Sequence, residues 1–213
     1  NFQYTVQDLI DFYNNKPINQ LLLINPDNPS GNFIPIDQIY KLLEWCTLRN
    51  VRLVLDESFV DFSTPALQNS FLSNEKLELY PNLIVIKSIS KSYGVPGLRL
   101  GLAASADKNI ISSLRKDMAI WNINSFAEFY LQIYSKYDND YRIACQKFIK
   151  ERERFYNELT NINFLRVIPS QANYFLCEVT NRYTSTELVE LLLKHNILLK
   201  DCCNKAGFNG SNY

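Results

Sequence analysis

A lysine and an arginine stand eight residues apart in the stretch SISKSYGVPGLRLG, residues 88–101. Lys91 is preceded by Ser88 and Ser90, and the arginine is Arg99. A lysine amine can form a Schiff base with a carbonyl group, and serine hydroxyls together with a guanidinium suit a phosphate. Taken alone, a lysine in a serine-rich loop is usually a solvated side chain. The stretch therefore indicates chemistry only if other reactive groups converge on it.

Short apolar runs separated by helical patterns predict the elements that position these groups. The runs are QLLLI, VRLVL, NLIVIK and RLGLAAS, at 20–24, 51–55, 82–87 and 99–105. Apolar residues at helical spacing separate the first two, with Asp37 as a candidate N-cap, and Asp107 is a candidate N-cap after the fourth. Strands interleaved with helices predict an α/β fold with a mostly parallel sheet covered by helices on both faces.

The rest of the chain predicts two helices and a smaller α+β segment. Residues 124–160 are rich in charge and contain neither glycine nor proline, which favours helices that link two domains. FLRVI at 164–168 and ANYFLCEV at 172–179 are typical of strands, and STELVELLLKH of a helix followed by ILLK. We expect a partial large domain with linking helices over 1–150 and a partial small domain over 151–213.

Polar groups follow three predicted strands and would face one crevice, because ligands bind beyond the carboxyl ends of strands in open α/β sheets. These groups are Asn28 in NPDNPSG, Asp56 in DESF, and Ser88, Ser90 and Lys91 in SISK. NPDNPSG alone would be only a turn. Asp56 directly follows four apolar residues, and burying its carboxylate there is costly without a cation. A cationic partner is therefore favoured over a role as a simple helix cap. A buried lysine, a carboxylate, hydroxyls and an arginine suit a cofactor with an aldehyde, a basic ring nitrogen and a phosphate, for which pyridoxal phosphate is the natural candidate.

Five segments resemble fold-type I pyridoxal-phosphate enzymes in their order and spacing. They are NPDNPSG, LVLDESFVDF, SISKSYGVPGLRLG, PSQANYFL and ILLKDCCN. The most specific element is S-x-S-K followed by G-L-R-x-G, combined with the upstream D-E pair. The chain is most similar to the branch of histidinol-phosphate aminotransferases and threonine-phosphate decarboxylases. The resemblance implies the fold-type I architecture and a homodimer with active sites at the subunit interface.

The resemblance also implies the roles of the residues around the cofactor ring. Lys91 would form the internal aldimine and later move the α proton. Asp56 would pair with the protonated pyridine nitrogen and keep the ring an electron sink, and Asn28 would hydrogen-bond the phenolic oxygen.

The phosphate and the substrate would be held by further residues of the same motifs. By resemblance, Ser88, Ser90 and Arg99 would bind the phosphate. Asn173 would lie near the substrate, and Lys200 stands where an arginine that grips a carboxylate or phosphate is usual. A lysine there supplies charge without the bidentate fork of a guanidinium.

Two other features depart from the family pattern. Phe59 occupies the position of a tyrosine whose hydroxyl normally shares the phenolic oxygen, and both Phe59 and the DCCN ending lean toward the threonine-phosphate decarboxylases. Ser30 replaces the commoner threonine.

The family's N-terminal phosphate loop would precede Asn1 and its carboxylate-binding arginine would follow Tyr213, so we expect the chain to be a fragment of the enzyme.

Composition limits the partners. Lys plus Arg and Asp plus Glu both number 22 in 213 residues, so the chain shows no basic footprint for nucleic acid or an acidic membrane surface. No apolar stretch approaches the length of a membrane span. Five cysteines without a C-x-x-C pair disfavour a disulfide framework or a metal site and fit a reducing cytoplasm. We expect small-molecule amino acid and keto acid substrates.

Three functions are compatible with these observations. The leading hypothesis is transamination of a small amino acid, with or without a phosphate group. The second is decarboxylation on the same cofactor, since the motifs are common to both reactions. The third is a non-catalytic regulatory or assembly domain, against which the retention of Lys91, Asp56 and Arg99 argues. Dinucleotide-binding and P-loop folds are excluded because neither G-x-G-x-x-G nor G-K-[ST] is present.

Overall fold

The computed structural model describes residues 2–64 and 70–213. Its larger sheet, as far as the described residues show, has four strands in the order β1-β2-β3-β4. The strands are β1 (Gln20–Ile24), β2 (Arg52–Asp56), β3 (Leu83–Ser88) and β4 (Gly101–Ala104). The first three are parallel, and β4 is antiparallel to β3 because the chain between them forms only two short helical turns and then reverses. The prediction of a mostly parallel sheet is confirmed.

Eight α-helices are present in the described residues. They are α1 (Val6–Tyr13), α2 (Ile36–Leu48), α3 (Asn74–Leu79), α4 (Ile89–Ser92), α5 (Lys108–Asp117), α6 (Ser125–Ile133), α7 (Asp138–Thr160) and α8 (Ser185–Leu193). Asp107 caps α5 as predicted, because its carboxylate accepts the N–H groups of Asn109 and Ile110. The prediction for Asp37 is wrong. Helix α2 begins at Ile36, so Asp37 lies inside the first turn.

One face of the sheet carries the main core. Leu21, Leu53 and Leu83 pair across β1, β2 and β3 and are buried together with the residues two positions further on. They pack with the apolar side of α2, whose buried residues are Ile39, Leu42, Leu43 and Cys46. On the other face Leu22 is 62% exposed and Ile86 is 38% exposed. The prediction that helices flank the sheet is confirmed, although this second face is covered only in part within the described residues.

A smaller sheet follows α7. It pairs β5 (Leu165–Val167) with β6 (Cys177–Val179) in antiparallel register. The strand predicted over 172–179 is confirmed only for its last three residues, because residues 172–176 turn toward the loops that follow β1 and β2 instead of extending the pair. Helix α7 runs without a break through residue 150, so the two-domain division remains a prediction whose boundary lies inside this helix.

None of the helices in the described residues is both long and apolar enough to cross a membrane.

Candidate active site

The carboxyl ends of β1, β2 and β3 meet at one edge of the sheet. Ile24 pairs with Asp56, and Asp56 pairs with Ile86. Backbone hydrogen bonds continue the ladder past the strand ends, from Asn25 N–H to the Asp56 carbonyl at 2.9 Å and from Glu57 N–H to the Ile86 carbonyl at 2.8 Å. The segments NPDNPSG, DESF and SISK therefore begin next to each other, as the sequence predicted.

In the NPDNPSG turn one asparagine side chain is buried and another is exposed. Asn25 is buried, and its side chain donates to the Ile34 carbonyl at 2.9 Å and accepts the Ile34 N–H at 2.8 Å. The Ser30 hydroxyl donates to the Asp27 carboxylate at 2.5 Å and closes the turn. Asn28 lies exposed between these anchors, and its side chain has no hydrogen bond to another described residue. Its carboxamide is free to bind a ligand.

The end of this turn lies against the segment after β5. The N–H of Gln171 donates to the Gly31 carbonyl at 2.9 Å. Gly31 has φ +72°, and a Cβ on it would lie 2.0 Å from the Ser170 Oγ. Only glycine fits both the backbone angle and the contact.

Ser58 connects the ends of β2 and β3. Its N–H donates to the Asp56 Oδ1 at 2.9 Å, and its Oγ accepts the N–H of Ser88 at 2.9 Å. Asp56 is half-buried, and its Oδ2 has no donor among the described residues. No role was predicted for Ser58, although an aspartate side chain commonly accepts the backbone N–H two residues further on.

Lys91 lies on α4 with its Nζ 4.1 Å from the centroid of the Phe59 ring. The expectation of a buried lysine is wrong, because Lys91 is exposed and forms no ion pair with a described carboxylate. Lys87, four residues earlier, is buried and lies 2.8 Å from the carboxylate of Asp61. Of the two lysines in this segment, Lys91 is the one whose amine is open to a reacting carbonyl group.

The three residues predicted to hold a phosphate occupy the β3–β4 connection. The Ser90 hydroxyl is buried, donates to the Leu100 carbonyl at 3.2 Å and accepts the Leu100 N–H at 3.1 Å. Arg99 is exposed in the left-handed region at φ +56°, and its guanidinium donates to the Pro96 carbonyl at 3.4 Å. No hydrogen bond joins the side chains of Ser88, Ser90 and Arg99 in the described structure. Their common phosphate role remains a prediction.

Tyr174 brings the later segment onto the site. Its hydroxyl donates to the Asp27 carbonyl at 2.8 Å, and its ring meets Phe59 edge-on at 5.2 Å. Burial raises the pKa of Tyr174, and the carboxylates of Asp27 and Asp56 raise it further, so the phenol stays protonated. Tyr174 stands within PSQANYFL, but no local pattern indicates a role for it, because the contact that reveals one spans 147 residues.

The two residues predicted near the substrate are both exposed. Asn173 precedes Tyr174, and Lys200 follows α8. Neither side chain has a hydrogen bond to another described residue. The structure brings Asn173 to the site through its neighbour, whereas no contact links Lys200 to the other predicted residues.

The side chains at this edge fit pyridoxal phosphate. Lys91 offers an amine for the aldehyde, the Asp56 Oδ2 offers an acceptor for a ring N–H, and Asn28 offers a carboxamide for the phenolic oxygen. Arg99 offers an exposed guanidinium for a phosphate.

Comparison with known proteins agrees with this chemistry. The model of the family named aminotransferase class I and II matches residues 1–206. The chain belongs to this family. Its members depend on pyridoxal phosphate, and the fold is that of the fold-type I pyridoxal-phosphate enzymes.

Individual members of the aminotransferase class I and II family include both decarboxylases and aminotransferases. The chain is 31% identical over 99% of its length to the L-serine phosphate decarboxylase of Campylobacter jejuni and spans 54% of that protein. A decarboxylase structure from Sulfurospirillum multivorans is 30% identical with a TM-score of 0.85, covering 98% of this chain and 59% of its own. The histidinol-phosphate aminotransferase structure from Clostridium acetobutylicum is 30% identical with a TM-score of 0.83, covering 97% and 60%. The chain thus spans about half the length of the L-serine phosphate decarboxylases that it matches.

Proposed function

We propose that the protein is a pyridoxal-phosphate-dependent decarboxylase of a small phosphorylated amino acid. The observation that carries the proposal is the position of the Lys91 Nζ, 4.1 Å from the Phe59 ring and beside the strand end that bears Asp56. The chain's own residues supply an attachment point and a proton carrier, whereas the bound cofactor supplies a sink for the electrons released at the substrate Cα.

Each residue then has a task that follows from its chemistry. The Lys91 Nζ would hold the cofactor through its aldehyde and would donate a proton to the substrate Cα after carbon dioxide has left. The Asp56 Oδ2 would accept a hydrogen bond from the ring N–H and stabilise its positive charge. Ser58 holds the Asp56 carboxylate in place through its N–H at 2.9 Å.

Phe59 supports decarboxylation over transamination, the leading hypothesis from the sequence. A phenylalanine supplies an aromatic face to Lys91 but no hydroxyl, and its resemblance is to the threonine-phosphate decarboxylases. Two of the relatives are L-serine phosphate decarboxylases, each aligned over 98% or more of this chain. A phosphorylated substrate also gives the exposed cation Lys200 an anion to bind.

Transamination is the second candidate. A histidinol-phosphate aminotransferase from Ruminiclostridium cellulolyticum is 30% identical over 85% of this chain, and a reaction of that kind needs the same lysine and aspartate. In that case Lys91 would remove a proton from Cα and the carboxylate would be retained. The two reactions differ in which bond at Cα breaks, and the residues described here serve either.

We also propose that two copies of the chain associate. The segment that joins α5 to α6 carries Ile120 at 93% exposure and Trp121 at 91%, and Phe126 in α6 is 78% exposed. Several large apolar side chains exposed close together in the sequence are typical of an interface.

The deciding experiment incubates the intact protein with pyridoxal phosphate and O-phospho-L-serine, O-phospho-L-threonine or L-serine, and measures carbon dioxide and keto acid separately. We expect carbon dioxide from a phosphorylated substrate and none from the Lys91→Ala variant. Keto acid without carbon dioxide would favour transamination. Absence of both products with every substrate would favour the non-catalytic alternative.

A further inference from the structure

A cavity lies beside the end of the NPDNPSG turn. Its volume is about 610 Å³, within the range of small-molecule sites. It is bounded by the chain that follows the turn, by the middle of α7 and by the segment at 169–171. None of the eight residues predicted for the pyridoxal-phosphate site is among the described residues that line it. The cavity therefore contains none of the proposed cofactor-binding residues, although Gly31, Ser170 and Gln171 lie on its border with the site described above.

Arg152 of α7 lines this cavity and is only 5% exposed. Its guanidinium donates to the Phe62 carbonyl and, at 3.3 Å, to the Oε1 of Gln171. Both acceptors are uncharged, and Arg152 forms no ion pair with a carboxylate in the described residues. A buried cation without a counterion is costly, and a guanidinium has five N–H donors to satisfy.

Arg152 keeps its charge in this position. Burial lowers the pKa of the guanidinium, and the nearby carboxylate of Glu153 acts in the opposite direction. The normal pKa of arginine is so high that the group remains protonated at neutral pH. An anion in the cavity would supply the missing counter-charge and accept the remaining N–H groups in a bidentate arrangement.

The rest of the lining is aromatic and amide-rich. Phe33, Tyr156 and Phe175 supply ring surfaces, and Asn32 and Asn157 supply hydrogen-bonding groups. Flat apolar walls around one buried cation suit a planar molecule with a single negative charge. We propose that this cavity binds a small aromatic carboxylate, with its carboxylate on Arg152 and its ring among Phe33, Tyr156 and Phe175.

Glu153 provides a direct test of the charge. It lines the cavity next to Arg152 but is exposed, so its carboxylate repels an incoming anion without being needed for folding. Replacing it by glutamine removes that repulsion while keeping the shape of the side chain. Because the charge is at a solvated rim, the expected gain in affinity is about two- to fivefold.

The experiment uses isothermal titration calorimetry of the intact protein with phenylacetate, and with 2-phenylethanol as a neutral molecule of the same shape. We expect phenylacetate to bind more tightly than the alcohol, Glu153→Gln to bind it about two- to fivefold more tightly, and Arg152→Gln to bind it about tenfold more weakly. Glu128→Gln, an exposed change on α6, should leave the affinity unchanged.

Three outcomes would overturn the proposal. They are equal affinity for the acid and the alcohol, no tightening in Glu153→Gln, and no binding of phenylacetate below about 10 mM. Circular dichroism checks that Arg152→Gln is folded, because this change also removes the bond to the Phe62 carbonyl. If it is unfolded, the Glu153→Gln result decides alone.

Discussion

The amine of Lys91 lies over the face of the Phe59 ring, 4.1 Å from its centroid. A cation in this position is attracted by the electron-rich face of the ring. The contact holds the amine beside the ends of β2 and β3 although the side chain is exposed to solvent. It also fixes Phe59 as the aromatic neighbour of whatever carbonyl compound reacts with Lys91.

Lys91→Ala should abolish covalent attachment of pyridoxal phosphate. In the wild-type protein, borohydride reduction followed by peptide mass mapping should place the pyridoxyl group on Lys91. Lys91→Arg should also lack it, because a guanidinium forms no Schiff base with the aldehyde. A label on Lys87, which the structure buries against Asp61, would contradict the assignment.

Phe59→Tyr should lower the pH at which the absorbance of the bound cofactor changes. A tyrosine hydroxyl would donate to the phenolic oxygen and stabilise its anionic form, which makes the neighbouring nitrogen less basic. One hydrogen bond is worth about 1 kcal/mol, which corresponds to somewhat less than one pH unit. Phe155→Tyr, at a half-exposed ring that contacts Phe175, is the control and should leave the midpoint unchanged. An unchanged or higher midpoint in Phe59→Tyr would show that its hydroxyl does not reach the phenolic oxygen.

Asp56→Asn should fold but lose most of its turnover. The amide cannot stabilise the positive ring nitrogen as the carboxylate does. We expect a loss in kcat of about a hundredfold, equivalent to about 3 kcal/mol. Asp37→Asn on α2, an exposed carboxylate away from the site, is the control. Near-normal kcat in Asp56→Asn would exclude the proposed role.

Glu57→Gln should change the pH dependence of stability. Burial raises the pKa of Glu57 above its ordinary value of 4.5, although the Phe71 N–H, the Ser70 hydroxyl and the Lys87 charge oppose this. The folded protein therefore binds this proton more tightly than the unfolded chain does. The free energy of unfolding should fall as pH rises above 4.5 through the raised folded pKa.

The variant lacks this ionisation, so its stability relative to wild type should increase over the same pH interval. Urea unfolding at several pH values between about 4.5 and 8 measures the difference. Glu190→Gln on α8, an exposed carboxylate, should follow the wild-type curve. A difference that does not vary with pH would show that Glu57 titrates normally.

The exposed apolar segment after α5 should mediate self-association. Replacing both Ile120 and Trp121 by lysine should shift the sedimentation coefficient toward that of a monomer, because charge is costly in a buried apolar interface. Leu48→Lys, at an apolar side chain of α2 that is 88% exposed, is the matched control and should not alter the association. A wild-type protein that sediments as a monomer at all concentrations would contradict the proposed dimer.

Much of the site could be predicted from local patterns in the sequence. The apolar runs before Asp56 and Ser88 predicted β2 and β3, and parallel strands necessarily place their carboxyl ends at one edge. Other features depend on contacts that no local pattern contains. Lys91 is exposed because α4 turns out of the sheet after Ser88, and Tyr174 reaches Asp27 across 147 residues.

The error in the last predicted strand has the same origin. Residues 172–179 have the composition of a strand, but Ala172 packs with Phe59 and Phe62, and Tyr174 bonds to the turn after β1. Tertiary contacts of this kind override a residue's preference for a strand. The exposure of Leu22 and Ile86 could not be predicted either. Both faces of these strands carry apolar residues, so no alternation of apolar and polar residues marks one face as exposed.

The contact between Gly31 and Ser170 limits how the two segments can diverge. A side chain at position 31 would meet not only the Ser170 Oγ but also its Cα at 2.8 Å, so shortening residue 170 to glycine could not make room. The positive φ would persist as well. A substitution at position 31 therefore requires the backbones of both segments to move together, so this contact sets the spacing between them.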